Sequence, residues 1–434
     1  MKTNKLHQSL WPRGLVYLAW LAILTVACTS AGNTSPIVNR DSSPAQHDSK
    51  SYEYHFASGS SATDIPFELN ANKIYLSVRV NDKGLLSFIL DSGAAFDVLD
   101  EEWARTLNLK LSDEATVKGA GEGSVQTAVG TGLSLNLKGL EIVKPSINVL
   151  PIHSSISYNE GRAVDGLLGY DFFKRFVIEI DYANERISVH EPKTYHYDGP
   201  GKIIPLEEDN GHTFINTTLV VADGRQMAVR LLVDTGARMA LMLNTPFVND
   251  HKLLGTTPQL DSIISVGVGG QYRSAVTRIE SLRMGPFTIK EPVITLSRSE
   301  SGVLAGSDYD GIIGAEILRR FKVIIDYSRR QMIVEPNAYF NEPYKYDMSG
   351  LVLVAEGPSL KTYKIYQVLD HSPATESGLQ KDDQITSING QPAANLTLEQ
   401  IRQMFMLQAG IEYKLGVRRN EQLLTVVLRL RKLI

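Results

Sequence analysis

Apolar residues alternate with polar ones through Ile74, Leu76, Val78 and Val80, with Tyr75, Ser77 and Arg79 between them, which predicts a half-buried β-strand. Asn81-Asp82-Lys83-Gly84 supplies turn chemistry, and the apolar run 85–90 predicts the strand that returns from it. The pattern recurs at Ile215, Thr217, Leu219 and Val221, with a turn at Asp223-Gly224 and then Met227, Val229, Leu231 and Val233. Short helices are expected only at 100–107, 170–176 and 315–321. Many short strands between turn signals predict a barrel-like all-β domain, present twice. Nearer the C-terminal end a helix at 398–408 and strands at 411–418 and 423–430 break with this pattern.

The two β-rich stretches are copies. Asp91-Ser92-Gly93-Ala94, Asp165-Gly166-Leu167-Leu168-Gly169, Asp181-Tyr182 and Glu191-Pro192 mark the first. Asp234-Thr235-Gly236-Ala237, Asp310-Gly311-Ile312-Ile313-Gly314, Asp326-Tyr327 and Glu335-Pro336 mark the second, at offsets of 143–145 residues. Four landmarks in one register define a duplicated domain, with a period too long for a solenoid unit. The expected boundaries are 65–195 and 200–337.

Each copy holds one Asp-[Ser/Thr]-Gly corner after a strongly apolar strand. Such a corner offers a carboxylate on a rigid turn, and its glycine lets another backbone approach closely. A pseudo-twofold relation between the copies would bring the two carboxylates together. Like charges at about 3 Å cannot both ionise near neutrality, so one proton is shared. The ionised member can then deprotonate a water while the protonated one polarises a carbonyl, which is general acid–base hydrolysis of an amide. Asp165 and Asp310 are read as holders of backbone turns.

These residues resemble the retropepsin- and pepsin-like aspartic proteases, in their bacterial exported branch, over about residues 66–336. The corners match the family's catalytic motif, and the two Asp-Gly-apolar-apolar-Gly segments look like its second signature. The resemblance implies Asp91 and Asp234 as the catalytic pair, with Ser92, Gly93, Thr235 and Gly236 bracing the carboxylates. It also implies glycine-rich flaps at Gly119, Gly121 and Gly123 and at Gly267, Gly269 and Gly270. Tyr272 is displaced from the flap tyrosine position of pepsins. The first flap could be taken for a dinucleotide-binding glycine loop, but a strand rather than a helix follows it. The implied fold is two duplicated acid-protease-like β-barrel domains forming one bilobal unit, working as a monomer on peptide or protein substrates without cofactor or metal. A non-catalytic peptide-binding scaffold that keeps this fold is the competing reading.

After a connector at 337–349, Ser372-Pro373-Ala374, Gly378-Leu379, Asp383-Gln384-Ile385 and Ile388-Asn389-Gly390 resemble the bacterial PDZ signature. An α+β PDZ domain is therefore expected over 345–434. The resemblance implies that Gly350, Leu351, Val352 and Leu353 form the loop that receives a peptide C-terminal carboxylate, beside a strand edge that adds the peptide as an extra strand. The groove could instead be filled by the protein's own chain.

Composition narrows the setting. Near-balanced charge, −4 over 434 residues, gives no footprint for nucleic acid. One cysteine, Cys28, excludes an internal disulfide framework. It follows a basic start and a 14-residue apolar run typical of a signal peptide, expected over 1–27. The residues before it resemble the lipobox of bacterial lipoproteins, implying lipidation at Cys28 and a membrane anchor in the cell envelope or periplasm; plain secretory cleavage is the alternative. Residues 28–64, rich in Ser, Asn, Asp and Ala, are expected to be a flexible tether. No Gly-x-Ser-x-Gly elbow occurs, so a serine nucleophile is not expected.

Overall fold

A computed structural model describes residues 53–81, 83–255 and 259–434. The signal-peptide and Cys28 expectations lie outside the described residues. The fold is mainly β, with two protease-like halves and a PDZ domain, all within one compact unit.

The duplicated strand after each second signature joins the halves. Val177–Asp181 runs antiparallel to Phe321–Asp326, pairing Ile178 with Ile325, Glu179 with Ile324 and Ile180 with Val323. Ile178 and Val323 are equivalent positions, as are Ile180 and Ile325, so the pairing is self-complementary about Glu179 and Ile324. Each copy meets the other as one subunit of a twofold dimer would meet its partner. Arg186–His190 and Ser61–Asn70 extend this sheet on one side, and Gln331–Pro336 and Lys202–Pro205 extend it on the other. Ile178, Ile180, Val323 and Ile325 enter the main core, while Val177, Ile324 and Ile333 pack beneath Tyr195 and Tyr197 on the opposite face. A sheet covered on both faces explains the unbroken apolar runs in these strands.

Within each half the hairpin before the Asp corner is followed by a parallel pairing. Gly84–Leu90 lies against Gly166–Leu168, and Gln226–Asp234 against Gly311–Gly314. The short helices expected are present at Glu101–Thr106, Tyr170–Arg175 and Ala315–Leu318. A further one at Thr245–Asp250 repeats the first in the second half. Its apolar residues Phe247 and Val248 are too few to show a helical period.

The tether expectation fails at its C-terminal end. Glu53–Phe56 pairs with Leu140–Leu150, and Ser61–Asn70 is a strand of the linking sheet. Tyr54 and Phe56 pack edge-on against Phe176, with ring centroids 4.8 and 5.9 Å away. Ala62 and Ile65 are buried. A few apolar residues in a polar stretch are enough once a partner edge is present.

The connector is anchored too. Arg320, fully buried, donates to the carbonyls of Tyr339 and Glu342 and stacks on Tyr344 at 3.7 Å. The PDZ domain has its own core and a mixed set of strands and helices, including Leu398–Phe405, Glu412–Arg419 and Gln422–Arg429.

Candidate active site

The two corners meet where the halves join. Gly93 N–H donates to Asp91 Oδ1 at 3.0 Å. Gly236 and Ala237 N–H donate to Asp234 Oδ1 at 2.8 and 2.9 Å. Each glycine also faces the other carboxyl group: a Cβ at Gly93 would lie 2.4 Å from Asp234 Cγ, and one at Gly236 would lie 2.3 Å from Asp91 Cγ. The two carboxyl groups are hydrogen-bonded to each other.

Electrostatics follow from this contact. Burial, then the charge of Asp91 and the bond between the carboxyls, hold Asp234 well above the usual carboxylate range. Burial raises Asp91 as well, opposed by the charge of Lys73, the bond from Asp234 and the N–H groups of Gly93 and Ala94. The contact favours a single proton shared by the pair, whose titration belongs to both groups together.

The hydroxyls of the corners act differently from the expectation. Ser92 Oγ donates to Val233 O at 2.8 Å and accepts from Thr235 N at 3.0 Å. Thr235 Oγ1 donates to Leu90 O at 2.7 Å and accepts from Ser92 N at 3.0 Å. Neither hydroxyl is bonded to a carboxylate. Together they form a reciprocal brace between the two strands, and it is the backbone N–H groups that hold the carboxylates. Asp165 and Asp310 hold backbone in the same symmetric way, accepting from Ser87 N and Arg230 N at 2.7 and 2.8 Å.

Both flaps are present as hairpins, Lys110–Lys118 with Ser124–Leu137 and Gln259–Gly267 with Gly270–Arg278. Their tips bond to each other. Gly121 and Gly123 N–H donate to Val268 O and Gly269 O at 2.8 Å, and Glu122 N–H donates to Gln271 O at 3.0 Å. A Cβ at Gly121 would lie 2.3 Å from the Gly269 carbonyl carbon, so the crossing needs glycine there. The flap stems pack beside the corners: Val117 and Val125 cluster with Ala94 and Phe96, while Tyr272 and Ala120 cluster with Ala237 and Met239. An apolar wall therefore flanks each carboxylate.

Several groups escaped the sequence reading. Lys73 and His212 begin equivalent strands, each after a turn with two residues at positive φ (Ala71 and Asn72, Asn210 and Gly211). Both face the dyad electrostatically, with the His212 ring lowered by burial against the pull of Asp91. Lys73 Nζ also bonds Glu160 at 2.9 Å. Burial works against the Glu160 charge, but Lys73, Arg238 and Arg402 outweigh it and leave its carboxyl below the ordinary glutamate range. The turn pattern at 71–72 and 210–211 was the available signal.

In the PDZ domain, Gly350 precedes the strand Leu351–Glu356, which holds Leu351, Val352 and Leu353. Two of the loop N–H groups have partners within the chain. Ser349 and Gly350 N–H donate to Asp347 Oδ1 at 2.8 Å, and Leu351 N–H donates to Ser349 Oγ at 3.0 Å. Within the loop expected to receive a peptide carboxylate, the Gly350 N–H is thus held by a carboxylate of the chain itself and the Leu351 N–H by a neighbouring hydroxyl.

The family model described as "Aspartyl protease" matches residues 76–172 and 217–317, and that described as "PDZ domain" matches 345–417. The retrovirus-related Pol polyprotein from transposon 412 of Drosophila melanogaster is 25% identical over 173 residues, 39% of this chain and 12% of the polyprotein. The chain thus spans a small part of that relative's length. Two matched copies, each carrying one of the paired Asp corners, and a third match over the module that follows them show a duplicated aspartyl protease domain of the retropepsin-like kind followed by a C-terminal PDZ domain.

Proposed function

We propose that this protein is an endopeptidase in which Asp91 and Asp234 activate a water against the scissile carbonyl. The observation that carries the reading is the contact of the two carboxyls at the junction of the halves, each seated against the other corner's glycine. The ionised carboxyl of the pair takes a proton from water as the water oxygen bonds to the carbonyl carbon. The protonated carboxyl gives its proton to the carbonyl oxygen, forming a neutral tetrahedral diol. Collapse of the diol breaks the C–N bond as the nitrogen is protonated, and the pair regains its single shared proton. The apolar walls around Ala94 and Ala237 favour apolar side chains on both sides of the cleaved bond. Export, with lipid attachment at Cys28, belongs to the same proposal and rests on the leader sequence alone.

Cleavage of a peptide library by the full chain, with Asp91→Asn and Asp234→Asn as controls, is the test. Cleavage by the parent and loss of at least a thousandfold in each variant is the expected result. Equal activity in either variant would sink the assignment.

A further inference from the structure

The PDZ domain touches both halves of the protease. Its groove, between the strand Leu351–Glu356 and the helix Leu398–Phe405, is met by the short helical turn Tyr158–Glu160 of the first half. Arg402 on that helix donates to Asn159 O at 2.8 Å and to Leu353 O at 3.2 Å, tying the turn to the strand. Gly161 lies so close to the helix that a Cβ there would be 2.5 Å from Leu398 Cβ. The next strand, Thr362–Val368, reaches the second flap. Gln367 Oε1 accepts from Ile264 N at 2.9 Å, Gln367 Nε2 donates to Ser262 O at 2.6 Å, and Tyr366 bonds Gln271. Gln271 in turn accepts, through its carbonyl, from Glu122 at the tip of the first flap.

We propose that the PDZ domain is an internal clamp: its groove grips residues 158–161 of the first half while its second strand holds the second flap closed over the cleft, so that release of this grip sets the rate of substrate entry. The groove's occupant is this chain, which agrees with the Asp347 carboxylate holding the Gly350 N–H at the loop. The PDZ domain thereby bonds to both the second flap and the first half, and the tip-to-tip bonds pass its restraint to the first flap. The clamp rests on the reading of the cleft as a protease site, but its geometry can be tested without any cleavage.

Gln367→Ala removes both side-chain bonds to the flap and touches nothing in the dyad. Arg402→Met removes the tie in the groove while keeping much of the side chain's apolar length. In the full chain, hydrogen exchange at the Ile264, Gly121 and Gly123 amides should accelerate roughly tenfold in each variant, the scale of losing one or two net hydrogen bonds. Measured kcat/KM should rise by a similar factor. Unchanged exchange in both variants, with melting temperatures near the parent's, overturns the clamp. Faster exchange with unchanged kcat/KM overturns its control of entry. If the parent cleaves no peptide, the catalytic reading fails and the exchange data still decide the clamp.

Discussion

The reciprocal brace of Ser92 and Thr235 gives a quantitative test of how the two halves are held in register. Thr235→Val keeps the buried shape and replaces only the hydroxyl. It removes the bond to Leu90 O and the acceptor for Ser92 N–H, two contacts of 2.7 and 3.0 Å at a fully buried residue. The lost bond to Leu90 O is worth about 1 kcal/mol net, and leaving the buried Ser92 N–H without an acceptor costs about 1–3 kcal/mol. The expected loss is therefore about 2–4 kcal/mol. Thr235→Ser keeps the hydroxyl and loses one methyl, costing only about 1 kcal/mol. In a chain of this size about 1 °C accompanies each kcal/mol, so Thr235→Val should melt about 2–4 °C below the parent and Thr235→Ser about 1 °C below it. Calorimetry on the full chain supplies the comparison. Adding Ser92→Ala to Thr235→Val should cost less than the sum of the single changes, because the four bonds close one ring. Activity should fall at least tenfold in Thr235→Val, since the brace sets the separation of the carboxyls. Equal melting temperatures for Thr235→Val and Thr235→Ser would refute the brace.

Gly93→Ala and Gly236→Ala each drive a methyl into the opposite carboxyl group, so each should lower kcat/KM at least a hundredfold in peptide assays while the far-ultraviolet circular dichroism stays native. Cleavage requires one shared proton, so the rate should fall as pH rises and that proton leaves. Lys73 favours the charged form of both carboxyls and holds their pKa values down, so Lys73→Met should raise them and carry the alkaline limb of the pH–rate profile to higher pH; an unmoved limb counts against this. Ile180→Ala empties a fully buried position on the joining strand and should cost about 2–5 kcal/mol in urea unfolding, where a cost below about 1 kcal/mol would mean the joining sheet is not central to stability.

Much of this architecture could be read from spacing. The constant offset between copies reappears as the self-complementary pairing of Ile178 with Ile325, because identical strands related by a pseudo-twofold present the same edge to each other. The Asp corners were legible because their steric demand is narrow: only glycine fits at 93 and 236. Residue type alone did not reveal what the Ser92 and Thr235 hydroxyls bond. A buried hydroxyl takes the nearest unsatisfied backbone group, and here that group belongs to the other copy, more than 140 residues away. The same holds for Lys73 with Glu160 and for Arg402 with Asn159. Asp347 was hidden differently: it lies in a connector whose composition shows no period, and its role follows only from the turn that aims it at Ser349 and Gly350.

Fusing the two copies in one chain frees equivalent positions to differ, and the differences bear on the dyad. A symmetric dimer gives its two carboxyls identical surroundings, so either can hold the proton. Here Lys73 stands where the second half has His212, and the lysine is held by Glu160 on the side where the PDZ domain packs. Its charge counts more heavily for Asp91, where it is the main force opposing burial, than for Asp234. Asp234 meanwhile carries the repulsion of Asp91 on top of its own burial. The two carboxyls thus sit in unequal surroundings, while their one proton belongs to the pair. Since Lys73 is bonded to Glu160, and residues 158–161 are gripped by Arg402 and Leu398, the PDZ domain that holds the flap also bears on the charged surroundings of the dyad.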